Sequence, residues 1–495
     1  MRLQKAQPHP RANLRELLAA RLGTGDVLAR IQDSKIGQNV ILDGPFGPKK
    51  MIYADYVASG RSLRVVEDVI LEDILPYYAN SHTEASFCGS YMTGLRRDAR
   101  GIIARACNAS DEFAVIFAGA GATAGVNRLV HLFGLGQNGQ DPSKALVIIG
   151  PYEHHSNILP WRESGAKVVE IAEASTGGPD LTHLEQILRD HADIPLKIGA
   201  FSAASNVTGA LSDPVAVTRI LKEHGARVVW DYAGGAPYLP ISMELGGGLQ
   251  ADAVVLSPHK FVGGPGASGV LIVRRGAVMG QRPTWPGGGT VRFAGPESHD
   301  YAQNLEAREE AGTPNVLGDI RAALVFLVKE AIGAAYIARR NEKLNVRATK
   351  ALGAHDRIQL LGRGHGHRPH LPFLSFRIRA SNGGYHHHQL ATRMLSDLYG
   401  IQARGGCACA GPYVHRLLGI DVAASAVLRH KILAGDELAK PGFVRLNLSY
   451  LLADPEVDFI LDAVGAIADD LDRFGDQYLA DASHAIFRHN GARAA

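Results

Sequence analysis

The stretch Ser257-Pro258-His259-Lys260 follows the apolar run Ala253–Leu256 and leads into Gly263-Gly264-Pro265-Gly266. A lysine just beyond a buried strand, flanked by a hydroxyl and an imidazole, is poorly explained as surface decoration. Burial lowers an amine's pKa and makes it a usable nucleophile toward a carbonyl, the chemistry of a Schiff base. Earlier in the chain, Val228-Val229-Trp230 ends in Asp231. An acid at a strand end often caps a turn; beside a Schiff-base lysine it becomes the natural partner of a pyridinium nitrogen. A third segment, Phe113–Ala118, runs into Gly119-Ala120-Gly121-Ala122-Thr123-Ala124 and then a helical pattern, which has the form of a strand–GxGxxA–helix dinucleotide fingerprint. Its acidic partner is misplaced, because Asp141 sits in a turn before the next strand instead of closing it. What survives is the physics of glycines at a helix N-terminus, where backbone N–H groups can approach one phosphate. A phosphate loop, an acid and a lysine together point to pyridoxal 5′-phosphate.

These groups need a scaffold that brings strand ends together. From about Phe113 to Val273, short apolar runs alternate with helical patterns: Ala114–Phe117, Ala145–Ile149, Lys167–Ile171, Lys197–Phe201, Ala226–Trp230, Ala253–Leu256 and Gly269–Val273. Val/Ile-rich runs alternating with helices predict an α/β fold with a mostly parallel seven-stranded sheet covered on both faces. Ligands of such sheets bind beyond the carboxyl ends of the strands, where Asp231 and Lys260 fall. After Thr313-Pro314-Asn315, a helical stretch from Gly318 to about Lys350 reads as a connector into a smaller α+β C-terminal domain. That domain is expected to hold a strand at Leu371–Arg379, a helix near Gln389–Tyr399, helix plus loop over His415–Lys440 and a last helix at Pro455–Phe474. The expected division is an N-terminal helical segment over 1–50, a large domain over 51–330 and a small domain over 331–495.

Composition narrows the classes. Lys+Arg 52 against Asp+Glu 49 gives a net charge of +3 with no long basic run, which argues against a nucleic-acid binder. The longest apolar stretch, Ala322–Val328, stops at Lys329-Glu330, far short of a membrane span. The N-terminus lacks an apolar core and reads as a loop before an amphipathic helix, not as a secretory signal. Four cysteines exclude a disulfide scaffold and suit a reducing, cytoplasmic setting. Cys88 and Cys107 read as packing residues. The histidines in 362–370 and at His386–His388 read as loop and helix-start residues, because no Cys or carboxylate spacing completes a metal site. Glycine, 56 of 495 residues, exceeds the usual share of about 7%.

The order of motifs resembles the class V, fold-type I pyridoxal-phosphate enzymes, closest to cysteine desulfurases and selenocysteine lyases. The block Glu153-His154-His155-Ser156-Asn157-Ile158-Leu159-Pro160-Trp161 is the most telling. The resemblance implies that His154 stacks on the cofactor ring and that Asn206, in Ser205-Asn206-Val207-Thr208-Gly209, approaches the ring hydroxyl. It implies that Asp231 partners the pyridinium, Lys260 holds the cofactor, and Ala122, Thr123, Ser257 and His259 bind the phosphate. Glu310-Ala311-Gly312-Thr313-Pro314-Asn315 is similar to the family's EAGTPN, whose threonine reaches the neighbouring subunit's phosphate, so Thr313 implies a homodimer with shared active sites. Arg404-Gly405-Gly406-Cys407-Ala408-Cys409-Ala410 resembles the R-x-G-x-x-C-A loop of desulfurases and puts the nucleophile at Cys409. Arg404 then favours the thiolate or holds the substrate carboxylate, and Arg445 falls where the family keeps its carboxylate-binding arginine. A thiolate that carries sulfur away is expected on a mobile, glycine-rich loop and to serve a sulfur-acceptor protein.

The departures bear on the reaction. The family's DxAQ or DxAH is Asp231-Tyr232-Ala233-Gly234 here, so the ring hydroxyl loses a side-chain donor. The glutamate common after the phosphate-loop threonine is Ala124, and the D-N-A-A-T motif is Asp55-Tyr56-Val57-Ala58-Ser59. Cys407 is similar to the first cysteine in the R-x-G-C-x-C loop of molybdenum-cofactor sulfurases. Carbon–sulfur or carbon–selenium cleavage of a cysteine-like amino acid leads. Its rivals are a class V aminotransferase, epimerase or other lyase in which Cys409 is incidental, and a non-enzymatic sulfur-relay or scaffold protein. A metal or redox pair at Cys407 and Cys409 also stays open.

Overall fold

The computed structural model describes residues 12–81, 83–135, 141–364 and 369–491. Seven strands build the central sheet: β1 (Phe113–Gly119), β2 (Ala145–Ile149), β3 (Lys167–Glu170), β4 (Leu196–Ser202), β5 (Arg227–Asp231), β6 (Ala253–Leu256) and β7 (Gly269–Arg274). They lie in the order β1-β7-β6-β5-β4-β2-β3. β7 runs against β1 and β6, and the other pairings are parallel. The sequence-predicted runs each fall within one residue or two of a strand. All but the edge strand Lys167–Glu170 are buried on both faces, which is why they read as continuous apolar runs and not as alternation.

Several of the long helices begin where a side chain caps their first turn. The long helices are α1 (Leu14–Leu22), α2 (Phe87–Ala106), α3 (Gly121–Leu132), α4 (Leu181–Asp190), α5 (Pro214–Glu223), α6 (Val316–Ile332), α7 (Ala334–Gly353), α8 (His388–Tyr399), α9 (Gly411–Leu418), α10 (Val422–Leu433) and α11 (Asp454–Phe474). Asp180 and Asp213 accept the first free N–H groups of α4 and α5, and Asn315 accepts Gly318 N–H at 3.1 Å to start α6. The single helix expected over Gly318–Lys350 is two, because Gly333 adopts φ +88° between α6 and α7. Helix α6 is apolar nearly all round and buried against α2.

The C-terminal region differs from expectation more. Instead of one strand it has a four-stranded sheet: β8 (Ile358–Leu360), β9 (Phe373–Ile378), β10 (Arg404–Gly406) and β11 (Phe443–Asn447), in the order β8-β9-β11-β10. β10 is short and glycine-rich, and glycine weakens every strand signal, so it carries no periodicity to read. This sheet has its own core with α8 and α11. The segment read as helix plus loop holds both α9 and α10, and α10 buries none of its side chains. Among the described residues no helix is long and apolar enough to cross a membrane.

Candidate active site

The loops after β1, β2, β4, β5 and β6 meet around a cavity of about 220 Å³. Ala122, Thr123, His154, Asn206, Asp231, Ser257, His259 and Lys260 all line it. The floor is backbone. Gly119 and Gly121 take φ +83° and +60°, and a Cβ on Gly121 would stand 3.0 Å from both His259 Cε1 and Ser257 Oγ. Only glycine lets α3 start this close to the β6 loop. Ala122 N–H donates to Ser257 Oγ at 3.0 Å, and Thr123 Oγ1 lies 2.7 Å from Ser156 Oγ. The result is an N-terminal helix turn rimmed by hydroxyls and an imidazole, a donor set suited to a phosphate.

Asp231 and Lys260 face the cavity from neighbouring parallel strands, and Asp231 is only 4% exposed. Burial lowers the Lys260 pKa; Asp231 opposes that shift, and Arg445 and Arg404 add to it. Burial raises the Asp231 pKa, against the N–H of Ala233, which donates to Oδ1 at 2.7 Å. His154 is pushed down to about 3, first by burial and then by Lys260, and His259 to about 4 for the same reasons. Both rings are therefore neutral at neutral pH. Ser156 N–H donates to His154 Nδ1 at 3.1 Å, which fixes the ring.

These residues fit pyridoxal 5′-phosphate. Asn206 Oδ1 is buried without a partner, at the place where a ring substituent would supply one. Gly234 also lines the cavity, and a Cβ there would have ordinary clearance, 3.6 Å from the Ala204 carbonyl oxygen. The polar side chain missing from position 234 is thus not excluded by crowding.

The Cys409 segment is tied down. Ala410 N–H donates to the Cys407 carbonyl at 3.1 Å, with Ala408 and Cys409 at φ +51° and +53°. This is a tight turn of the type I′ kind, built without the usual glycine. His155 N–H donates to the Cys409 carbonyl at 2.7 Å, Asn206 Nδ2 to the Ala408 carbonyl at 2.7 Å, and Gly411 N–H to His155 Nε2 at 3.0 Å. The expected mobile loop is a pinned turn, because its carbonyls are claimed by cavity residues. The Cys409 side chain is exposed. Cys407 is half-buried and also free.

Arg404 and Arg445 are paired residues of the β10–β11 ladder. Both reach Asp55: Arg404 Nε donates to Oδ2 and Arg445 Nη2 to Oδ1, each at 2.9 Å. Thr313 is exposed and lies outside the cavity, whereas Glu310 of the same motif is buried against Arg96 and Arg100 and accepts Phe117 N–H at 2.7 Å. No group of three or more His, Cys, Asp or Glu suited to a metal occurs among the described residues. His387 caps α8 and His388 is buried within it, while His365 and His367 lie outside the described residues.

Three positioning residues escaped the sequence reading: Asp55, Glu153 and His155. Glu153 accepts Ser202 N–H at 2.7 Å, Ser202 Oγ at 2.7 Å and Asn157 Nδ2 at 2.6 Å, which locks the 153–157 segment against the end of β4. Their one signal was membership of motif blocks already singled out.

The family model described as aminotransferase class-V matches residues 52–433. A probable cysteine desulfurase of Vibrio cholerae is 30% identical over 368 residues, covering 73% of this chain and 85% of that protein. Another, from Pyrococcus abyssi, is 28% identical and covers 77% and 90%. Among solved structures, the apo cysteine desulfurase of Thermococcus onnurineus superposes with a TM-score of 0.68 at 24% identity, covering 85% of this chain and 95% of that one. An Escherichia coli cysteine desulfurase with an S-sulfonic acid gives 0.67 at 22%, covering 89% and 98%; at these identities the likeness shows the fold-type I architecture. The chain belongs to the class-V aminotransferase family of pyridoxal-phosphate enzymes and is similar to its cysteine desulfurases.

Proposed function

We propose that this chain cleaves the carbon–sulfur (or carbon–selenium) bond of a cysteine-like amino acid, giving alanine and a persulfide on Cys409. The observation that carries this reading is an exposed cysteine in a turn pinned by His155 and by Asn206, which lines the same cavity as the buried amine of Lys260. Ala122, Thr123, Ser257 and His259 would hold the phosphate of pyridoxal 5′-phosphate, His154 its ring face, Asn206 its ring hydroxyl and Asp231 its nitrogen. Bound there, the cofactor supplies an electron sink for the substrate's Cα and Cβ. Lys260, its pKa lowered by burial, takes and returns protons at those carbons. Arg404 and Arg445 orient the carboxylate. The Cys409 thiolate attacks the substrate sulfur; the new S–S bond forms as Cβ–S breaks. The electron pair stays with Cβ, which takes a proton and becomes the methyl group of alanine. A sulfur-acceptor protein then relieves Cys409.

The wider reading is a cytoplasmic homodimer with shared sites, a large domain over 51–330 and a small one over 331–495. The test is incubation with L-cysteine under reductant, measuring sulfide and alanine. Wild type is expected to release both and Cys409→Ser to lose at least about a hundredfold. Full turnover in Cys409→Ser overturns the persulfide role. Amino-group transfer to a keto acid without sulfide makes the protein an aminotransferase. A colourless protein that rejects added cofactor sinks the whole reading.

A further inference from the structure

Arg404 and Arg445 share one carboxylate. Asp55, 8% exposed, follows the short strand Ile52–Tyr53, which pairs in parallel with Ile401–Gln402 just ahead of β10. The same strand pairings therefore set all three residues. Arg445, 4% exposed, spends Nη2 on Asp55 and Nη1 on the Asn206 carbonyl at 2.9 Å, and its Nε is buried without a partner. Arg404 gives only Nε to Asp55; its side chain is half-exposed, and among the described residues its two Nη groups have no hydrogen-bond partner. The cluster thus holds two cations and one anion. It has a net charge of +1 and keeps open donors on both arginines. One incoming carboxylate neutralises it; a second anionic group would meet Asp55 with no cation left to balance it.

We propose that Asp55 is the specificity-determining residue of this pocket: by cancelling one of two positive charges, it sets the pocket to accept amino acids with a single carboxylate and to reject dianionic ones. This rests on the reading that Arg404 and Arg445 receive an amino-acid carboxylate. It adds which amino acids are admitted. Asp55 acts through the charge it removes from the arginines and through repulsion of a second anion.

The test is calorimetric titration of the cofactor-loaded protein with L-alanine and with L-aspartate, neither of which has sulfur to lose. Wild type is expected to bind L-alanine at least about tenfold more tightly. Asp55→Asn is expected to shrink that gap about tenfold or reverse it, and Asp55→Glu, which keeps the charge, to preserve it. A gap unchanged in Asp55→Asn overturns the proposal. So does parallel weakening of both ligands, because Asp55 would then only hold the arginines in place. If Asp55→Asn does not fold, the wild-type ratio still decides: no preference, or no binding of either ligand, overturns it. Failure of the desulfurase reading is seen separately, as preferential L-alanine binding in a protein that releases no sulfide from L-cysteine.

Discussion

At the residue scale, the site works by withholding charge. Lys260 is driven toward the neutral amine first by burial, with Asp231 opposing the shift and Arg445 and Arg404 adding to it. Lys260→Ala is expected to abolish turnover and to leave the isolated protein without the yellow colour and borohydride sensitivity of the wild type; retained covalent cofactor would overturn its role. Cys107, buried and with its thiol pushed up to about 12, serves packing at the end of α2, in contrast to exposed Cys409. Cys407→Ser separates the two cysteines of the turn. It is expected to keep sulfide release within about threefold of wild type, whereas loss comparable to Cys409→Ser would make the pair a functional unit. Gly234→Gln has room at its Cβ and is expected to fold with stability within about 1 kcal/mol of wild type, read by denaturant melting.

At the element scale, the turn over 407–410 and the segment 153–157 each store a testable cost. Ala408 holds a left-handed conformation that disfavours any side chain by roughly 1–2 kcal/mol. Ala408→Gly removes that cost at some expense in unfolded-state entropy, so a net gain of about 0.5–1 kcal/mol is expected. A loss would mean that the Ala408 methyl packs better than its backbone suffers. Glu153 is pushed up to about 8 by burial, against the donors Ser202 and Asn157. Its folded pKa lies above the unfolded value, so it holds a proton in the folded chain where the unfolded chain has released it. The stability it contributes is complete below about pH 4.5 and is lost as pH rises through 8. Glu153→Gln cannot ionise. The stability difference, wild type minus variant, is therefore expected to fall between pH 5 and 8 by at most about 1.4 kcal/mol per pH unit. A flat difference would show that Glu153 does not titrate there.

At the scale of the whole molecule, the Glu310–Thr313 motif faces two ways. Glu310 closes a buried network with Arg96 and Arg100, tying the start of α6 to α2 and β1, while Thr313 points outside the cavity. Glu310→Gln takes the counter-ion from Arg100 and leaves Arg96 with Asp319 alone, and a loss on the order of 3–5 kcal/mol is expected from denaturant unfolding. Thr313 belongs to a site only if a second copy of the chain brings one to it. Sedimentation is expected to find a dimer, and Thr313→Ala to weaken cofactor retention without changing the unfolding of the cofactor-free protein. A monomer with unaltered retention would remove Thr313 from the site.

The sequence by itself determined the seven central strands, because strands buried on both faces must be continuously apolar. It also determined the strand-end positions of Asp231 and Lys260 and the glycine floor at Gly119 and Gly121, where backbone conformation leaves a residue-type signature. It could not reveal β10 as the sheet partner of β11, since a three-residue strand rich in glycine has neither periodicity nor propensity. With it went the pairing of Arg404 with Arg445. Only the tertiary structure brought Asp55 between those arginines, from about 350 residues away, and turned an expected mobile loop into a pinned turn. Contacts of that kind depend on where distant segments dock. A carboxylate's type says that it can pair, and only the fold says with what.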